Sequence, residues 1–254
     1  MLAPEYEYFN VEVAGRIATV QIDRPAARNA LTAAMRRGFA TLFRTLNDRD
    51  DIDVAILTGA DPAFCSGVDL KDRLADGTVP PRVEPNPAAV LRHMTIPVIA
   101  AVNGACVTGG LEMALSSSFL IASDRARFGD THAKVGILPG WGLSALLPAA
   151  AGLWRARELS FTGRIIDAHE AATYGLVNRV VPHETLLDEA QAAAVAITRA
   201  DQGAVRALMA LYESARGLPF GEVLQKERAA ADSWRTDPQA AVARFGKLTE
   251  GPDA

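Results

Sequence analysis

One ten-residue stretch of the sequence, NGACVTGGLE at residues 103–112, is its most informative part. It follows the apolar run Pro97–Val102, which predicts a buried strand, and its glycines precede a segment with helical spacing. Glycines at such a junction let backbone N–H groups face a cleft without side-chain obstruction, and the positive end of the helix dipole faces the same place. The stretch therefore predicts a strand, a tight loop and a helix start that can stabilise negative charge.

A second stretch of the same kind, AFCSGVDLK at residues 63–71, follows the buried apolar run Val54–Gly59. Either stretch alone is equally typical of a simple tight turn. Together, two loops with exposed N–H groups can form an oxyanion hole. Cys65 lies in the first loop, and its small size beside a buried strand favours packing over a nucleophilic role.

The other elements place these loops in an α/β protein. Residues 8–13 and 17–22 alternate apolar and polar side chains and predict a β-hairpin. Thr32 is expected to cap a helix with its apolar face at Met35 and Phe39, and Arg36 is expected on the surface of that helix with Arg37 and Arg44. A proline-rich segment, residues 76–87, has no periodic pattern and is expected to border a pocket. From residue 183 onward the pattern is helical.

The composition limits the classes of function. The chain has 254 residues with 26 Lys and Arg against 30 Asp and Glu, a net charge of −4, so we expect neither a nucleic-acid nor a membrane partner. Two cysteines fit a reducing compartment, and the N-terminal residues do not resemble a secretory signal, so we expect a cytoplasmic protein. The four histidines are scattered along the chain, which favours no metal site.

The sequence resembles the enoyl-CoA hydratase/isomerase, or crotonase, superfamily over most of its length. The resemblance rests on five ordered segments: residues 24–31, 64–71, 103–112, 128–140 and 159–178. It implies an α/β fold, a right-handed spiral of ββα units, with a core at residues 1–195. It also implies a helical oligomerisation segment at residues 196–254 that builds a homotrimer or a hexamer made of two trimers.

The resemblance also implies roles for individual residues. The backbone N–H groups of Val68 and Gly109 match oxyanion donors for the thioester oxygen of an acyl-CoA. Glu112 matches one of two glutamates that act on water, although a carboxylate in a first helical turn is also favoured by the helix dipole alone. Trp141 matches the wall of the acyl pocket, with a core tryptophan as the alternative. Six further residues match the path of CoA, with solvated surface charge as the alternative for the three basic ones: Arg24, Arg28, Ser66, Asp69, Leu70 and Lys71.

The sequence departs from the family pattern at His132, which occupies the position of the second glutamate. Three interpretations stay open: His132 shares the proton transfer, Asp130 enters the site instead, or His132 only lines the pocket. The predicted function is that of a lyase of lipid metabolism, an enoyl-CoA hydratase without metal or redox cofactor. The alternatives are an enoyl-CoA double-bond isomerase and an acyl-CoA-binding homologue without activity.

Overall fold

The structure, a computed structural model, describes residues 6–73 and 83–249. Its contacts divide the chain into two units, Met1–Arg206 and Ala207–Ala254. The first unit contains the strands of both β-sheets and the predicted site. The domain division proposed after residue 195 stays a prediction.

The larger sheet has six strands in the order β1-β2-β3-β5-β7-β10. Its strands are β1 (Phe9–Ala14), β2 (Ile17–Ile22), β3 (Val54–Gly59), β5 (Val98–Val102), β7 (Phe119–Ser123) and β10 (Arg179–Val181). β1 and β2 form the predicted antiparallel hairpin, and the remaining neighbours pair in parallel. Every residue of β3 and β5 is buried, which explains why these strands are continuous apolar runs rather than alternating ones.

The smaller sheet has four strands in the order β4-β6-β8-β9. They are β4 (Ala63–Cys65), β6 (Ala105–Val107), β8 (Arg127–Gly129) and β9 (Ile166–Asp167). From β3 to β8 the chain alternates between the two sheets, and helices follow successive strand pairs. This arrangement confirms the expected spiral of ββα units.

The first unit contains eight of the described helices and the beginning of a ninth. They are α1 (Ala33–Asn47), α2 (Leu70–Arg73), α3 (Pro87–Arg92), α4 (Gly109–Ala114), α5 (Leu143–Ala151), α6 (Leu153–Thr162), α7 (Ala168–Thr173), α8 (Leu186–Thr198) and α9 (Gln202–Ala215). Thr32 caps α1 as predicted, since its hydroxyl oxygen accepts the N–H of Met35 at 3.2 Å. α8 covers one face of the larger sheet through buried Leu186, Ala190 and Ala194.

One prediction for α1 is wrong. Arg36 is only 6% exposed, whereas Arg37 and Arg44 are on the surface as expected. Arg36 precedes the buried Phe39 by three residues and Phe43 by seven, and therefore lies at the edge of the apolar stripe of the helix. Arg36 is buried because that edge of the helix packs against the rest of the protein, and the periodicity of the sequence does not specify this packing.

The second unit is helical, with the end of α9 followed by α10 (Phe220–Ser233) and α11 (Pro238–Thr249). Several of its large apolar side chains are exposed, including Tyr212, Phe220 and Phe245. None of the helices that the structure describes has both the length and the hydrophobicity needed to cross a bilayer.

Candidate active site

The two glycine loops meet because β4 and β6 are parallel neighbours. Ala63 pairs with Ala105 and Cys65 with Cys106, so both loops leave the same edge of the smaller sheet. The backbones are in contact there: a Cβ on Gly109 would lie 3.1 Å from the Cα of Gly67. The structure therefore brings Val68 and Gly109, which are 41 positions apart in the sequence, to one place.

Thr108 connects the loops directly. Its hydroxyl donates to the carbonyl oxygen of Ser66 at 2.9 Å, and its backbone has φ 49°. Positive φ is rare for a β-branched residue because it costs conformational energy, and the conformation persists only where surrounding contacts offset that cost. Gly109 begins α4, so its N–H has no acceptor within the helix and points outward from the N-terminal end of the helix. Sequence reasoning gave no role to Thr108, whose only signal was its position directly before the two glycines.

A cavity of about 160 Å³ opens at this junction. It is lined by Arg36, Ser66, Val68, Leu70, Val83, Thr108, Gly109, Glu112, Thr131, His132, Val135, Ile137, Leu138, Gly140 and Trp141. All four residues predicted to be catalytic and the predicted acyl-pocket wall, Trp141, are among them. Residues 76–82 of the proline-rich segment lie outside the described residues, but Val83 of that segment lines the cavity.

Glu112 is held at the bottom of the first turn of α4 with 2% of its surface exposed. Its Oε1 accepts the backbone N–H groups of Trp141, at 2.7 Å, and Leu143, at 3.2 Å. Burial raises the pKa of Glu112 above its ordinary value of 4.5, although these two donors and the nearby imidazole oppose the shift. One carboxylate oxygen is thus fixed by the protein, and the other, Oε2, lies 3.8 Å from Nε2 of His132.

His132 is oriented by Asp130. Oδ1 of Asp130 lies 2.6 Å from Nδ1 of His132 and also accepts the backbone N–H of His132 at 3.1 Å. Burial opposes ionisation of Asp130, but the hydrogen bonds from His132 and Ser160 outweigh it and hold the pKa of Asp130 below its ordinary value. An ionised Asp130 accepts a hydrogen bond from Nδ1–H of His132, which leaves Nε2 as the ring nitrogen that faces Glu112.

The turn at residues 141–143, which donates two N–H groups to Glu112, also contacts Arg92 of α3. The Arg92 guanidinium donates to the carbonyl oxygen of Trp141 at 2.7 Å and to the hydroxyl of Ser116 at 2.9 Å. This contact joins residues 49 positions apart, so no local pattern in the sequence indicates it.

A groove of about 510 Å³ adjoins the cavity and shares Ser66, Val68 and Leu70 with it. Five of the six residues predicted on the CoA path line this groove: Arg24, Ser66, Asp69, Leu70 and Lys71. The sixth, Arg28, is exposed and is not among the lining residues.

Arg24 and Asp69 form an ion pair across the groove, with Nη1 and Oδ2 2.6 Å apart. Burial opposes ionisation of Asp69, but Arg24 and the backbone N–H groups of Asp72 and Lys71 keep the pKa of Asp69 below its ordinary value. The other oxygen of Asp69, Oδ1, accepts these N–H groups and caps α2. Asp69 therefore holds the wall of the groove with both carboxylate oxygens: one pairs with Arg24 and the other caps α2.

Cys65 is fully buried, and burial raises the pKa of its thiol to about 12, so the thiolate that a nucleophile requires is not formed near neutral pH. Among residues 6–73 and 83–249, no cluster of three or more His, Cys, Asp or Glu side chains could hold a metal ion.

The sequence model of the enoyl-CoA hydratase/isomerase family matches residues 12–244. The chain belongs to this family. A probable peroxisomal enoyl-CoA hydratase of Arabidopsis thaliana is 38% identical over 221 residues, which are 85% of this chain and 83% of the relative.

Solved structures of this family have the same fold. An enoyl-CoA hydratase of Mycobacterium avium has 42% sequence identity and a TM-score of 0.76, with 98% of this chain and 100% of that chain covered. One from Bacillus anthracis has 30% identity and a TM-score of 0.86, covering 95% and 97% of the two chains. The resemblance inferred from the five sequence segments is confirmed, and so is the crotonase-like fold.

Proposed function

We propose that this family member adds water to the double bond of a 2-enoyl-CoA and catalyses the reverse dehydration. The observation that supports this most is the juxtaposition of the Val68 and Gly109 backbones with the buried carboxylate of Glu112 in one cavity. The relatives named as enoyl-CoA hydratases support the same reaction type.

The two backbone N–H groups would bind the thioester oxygen. Attack of water at the β-carbon moves electrons through the double bond onto that oxygen and gives an enolate. Donors fixed in a site that excludes water stabilise this charge without reorganising, and losing one typically costs about 3–4 kcal/mol. Val68 and Gly109 thus supply the electrostatic part of catalysis.

Glu112 and His132 would handle the water. A water molecule about 2.8 Å from both Oε2 of Glu112 and Nε2 of His132 fits their separation of 3.8 Å. Glu112 takes a proton from this water as its oxygen bonds to the β-carbon, and Glu112 then returns that proton to the α-carbon of the enolate. Water supplies the hydroxyl and one hydrogen, and no net oxidation or reduction occurs, so the proposed reaction needs no redox cofactor.

His132 replaces the second carboxylate of the family pattern, and Asp130 acts through it. Asp130 is 2% exposed, contacts His132, and is not among the residues that line the cavity with Glu112. We therefore assign Asp130 as a positioning residue and His132 as the group that contacts the water.

The groove beside the cavity would hold CoA. Its walls carry Arg24 and Lys71, which supply the local positive charge that phosphates require on a protein of net charge −4. Arg24 already pairs with Asp69, so Lys71 at the exposed side of the groove is the stronger candidate for contact with the phosphates. Ser66 and Leu70 would line the pantetheine path where the groove meets the cavity.

We also propose that residues 196–254 build a homotrimer or a hexamer, and that the protein is cytoplasmic. Exposed aromatic side chains in the second unit, such as Tyr212 and Phe245, support the first of these, because apolar surface of this kind is typical of interfaces. Sedimentation of the purified protein measures the assembly.

An assay with but-2-enoyl-CoA and but-3-enoyl-CoA tests the reaction. Hydration removes the conjugated enoyl absorbance of the first compound, whereas isomerisation of the second creates it. Isomerisation is the second candidate, because Glu112 is the only carboxylate among the described residues that line the cavity and one proton-transfer group suffices for it. Tight binding of both thioesters without turnover would contradict both activities and indicate a binding protein.

A further inference from the structure

Trp141 contacts three parts of the site at once. Its backbone N–H donates to Oε1 of Glu112 at 2.7 Å, and its ring packs on the oxyanion loop, since a Cβ on Gly109 would lie 2.8 Å from its Cζ3. Its carbonyl oxygen accepts a hydrogen bond from Nη1 of Arg92 at 2.7 Å. The orientation of this one residue therefore bears on the candidate base and on an oxyanion donor together.

The backbone around Trp141 is free to turn unless another group holds it. Glycines precede and follow Trp141, and Gly142 has φ 119°, in the left-handed region that glycine adopts readily. The peptide that joins these two residues lies between the N–H donors of Trp141 and Leu143, which both contact Glu112. Because a trans peptide is planar, a contact that fixes its carbonyl oxygen fixes the plane of the whole unit. Such a contact keeps the two donors aimed at one carboxylate oxygen.

Arg92, in the last turn of α3, makes this contact. Its Nη1 donates one hydrogen to the carbonyl of Trp141 and the other to the hydroxyl oxygen of Ser116, at 2.9 Å. Ser116 is 5% exposed and follows α4, the helix that carries Glu112. With one hydrogen held by Ser116, the other is aimed at the turn. Nη1 also packs on Gly142, where a Cβ would lie 3.0 Å from it.

We propose that Arg92 is a positioning residue that fixes the turn at residues 141–143 and, through it, the direction of the Glu112 carboxylate. The inference rests on the proposed hydratase function and adds to it a residue that acts without contacting the substrate. Arg92 is not among the described residues that line the cavity, so it acts through Trp141 rather than on the acyl group.

The contact also bears on the charge of Glu112. The two backbone N–H groups of the turn oppose the rise that burial causes in the pKa of Glu112. Weakening them raises this pKa further, so the ionised base forms only at higher pH. The other charged or titratable side chains that face Glu112 include His132, Asp130 and Arg36, and all three are unchanged in the variants that test the proposal.

Kinetics of Arg92→Met with but-2-enoyl-CoA test the proposal. Methionine keeps the apolar stem of the side chain but cannot donate a hydrogen bond. We expect kcat to fall about a hundredfold, the loss typical of a reacting group misplaced by about 1 Å. KM should change little, and the acid limb of the kcat profile should move to higher pH. Arg92→Lys retains a charged donor without the planar fork and should recover part of the loss.

Ser116→Ala separates the aim of the hydrogen bond from the charge of Arg92. This variant keeps the guanidinium and removes the hydroxyl that orients Nη1, so kcat and the pH profile should shift in the same direction by a smaller amount. If Ser116→Ala matched the wild-type protein while Arg92→Met was slow, the charge alone would act and the proposal would be wrong.

Two exposed or self-contained positions serve as matched controls. The hydroxyl of Ser117 donates to the carbonyl oxygen of Met113 in its own helix, and Arg37 is exposed on α1. Ser117→Ala and Arg37→Met should therefore leave kcat and the pH profile unchanged. An equal loss in either control would overturn the proposal, because the effect would then not depend on the contact with Trp141.

Hydrogen exchange at residues 140–143, followed by mass spectrometry, tests the positioning without turnover. The N–H groups of Trp141 and Leu143 should exchange about tenfold faster in Arg92→Met than in the wild-type protein, because their bonds to Glu112 are weakened. Unchanged exchange would overturn the proposal, and so would a loss confined to KM. If Arg92→Met did not fold, Ser116→Ala and Arg92→Lys would supply the same comparison.

The exchange rates also separate this inference from the proposed function. Absence of hydration by the wild-type protein would contradict the hydratase function, whereas the exchange at Trp141 and Leu143 would still decide whether Arg92 holds the turn. Hydration by the wild-type protein with equal exchange and equal kcat in all Arg92 and Ser116 variants would leave the function in place and refute the role of Arg92.

Discussion

The carboxylate of Asp130 and the imidazole of His132 form a buried pair, with Oδ1 and Nδ1 2.6 Å apart. Ser160 supplies a further hydrogen bond to Asp130. The pair gives His132 a fixed ring orientation and tautomer, and His132 in turn faces Glu112. A histidine at the position of the second glutamate therefore has its own carboxylate behind it, so a negatively charged group would remain part of the proton transfer that we propose.

Asp130→Asn tests this relationship. The asparagine amide can donate to Nδ1, which would place the ring proton on Nε2, the nitrogen that we propose contacts the water. We expect kcat for hydration to fall about a hundredfold, with a changed pH profile and little change in KM. Steady-state kinetics between acid and neutral pH measure both effects.

Asp124→Asn is the matched control, because Asp124 is exposed and lies six residues earlier in the sequence. It should leave the rate and the pH profile unchanged. A thermal unfolding curve of Asp130→Asn separates loss of orientation from loss of fold. If the profile of the folded variant matched that of the wild-type protein, Asp130 would not act through His132.

Glu112→Gln tests the candidate base. Glutamine retains an oxygen that can accept the N–H groups of Trp141 and Leu143, so the turn should keep its conformation. The amide cannot take a proton from water, and we expect kcat to fall by about a hundred- to ten-thousandfold while binding of the thioester is retained. Turnover and equilibrium binding of but-2-enoyl-CoA measure the two quantities, with the exposed Glu7→Gln as control.

The raised pKa of Glu112 also predicts the pH dependence of stability. Since the folded pKa lies above the ordinary value of 4.5, the folded protein holds this proton more tightly than the unfolded chain. The contribution of Glu112 to the free energy of unfolding therefore falls as the pH rises above 4.5, and Glu112→Gln lacks this loss. At neutral pH the variant should unfold at the same or a higher temperature, and its advantage should shrink toward acid pH.

Glu170→Gln provides a contrast of opposite sign. Hydrogen bonds from Arg164 and Tyr174 lower the pKa of Glu170, so its contribution to stability is present above its unfolded pKa and is lost as the pH falls. Melting temperatures of both variants over the same pH series distinguish the two cases. A Glu112→Gln variant whose deficit grew toward neutral pH would contradict the assigned direction.

The sequence predicted the fold correctly where a local pattern of residues specifies a strand, a helix start or a turn. The apolar runs predicted β3 and β5 because both strands are buried on both faces. Thr32 predicted the start of α1 through its cap, and the glycines at 109 and 110 predicted the start of α4. The sequence also indicated that the two loops act together, but it did not predict β4 and β6 within those stretches, and the parallel pairing of these short strands is what brings the loops together.

The sequence was insufficient where a contact joins distant segments. Arg92 holds the carbonyl of Trp141 across 49 positions, and Glu112 receives its N–H groups from a turn 29 and 31 positions away. Arg36 is buried by tertiary packing at the edge of a stripe that periodicity identifies only approximately. These contacts determine charge and orientation in the site.

Gly109→Ala tests the oxyanion donors. The new Cβ would lie 2.8 Å from Cζ3 of Trp141 and 3.1 Å from the Cα of Gly67, so the loop must shift and move its N–H away from the thioester oxygen. We expect kcat to fall about a hundredfold or more, and Trp141→Leu in the same chain to recover part of that loss, because it removes the closest contact. Gly110→Ala is the contrasting variant, because its Cβ would lie 2.0 Å from the backbone carbonyl oxygen of Cys65. Of the two alanine variants, Gly110→Ala should therefore have the lower melting temperature. Unchanged kcat in a folded Gly109→Ala protein would mean that this N–H does not contact the thioester.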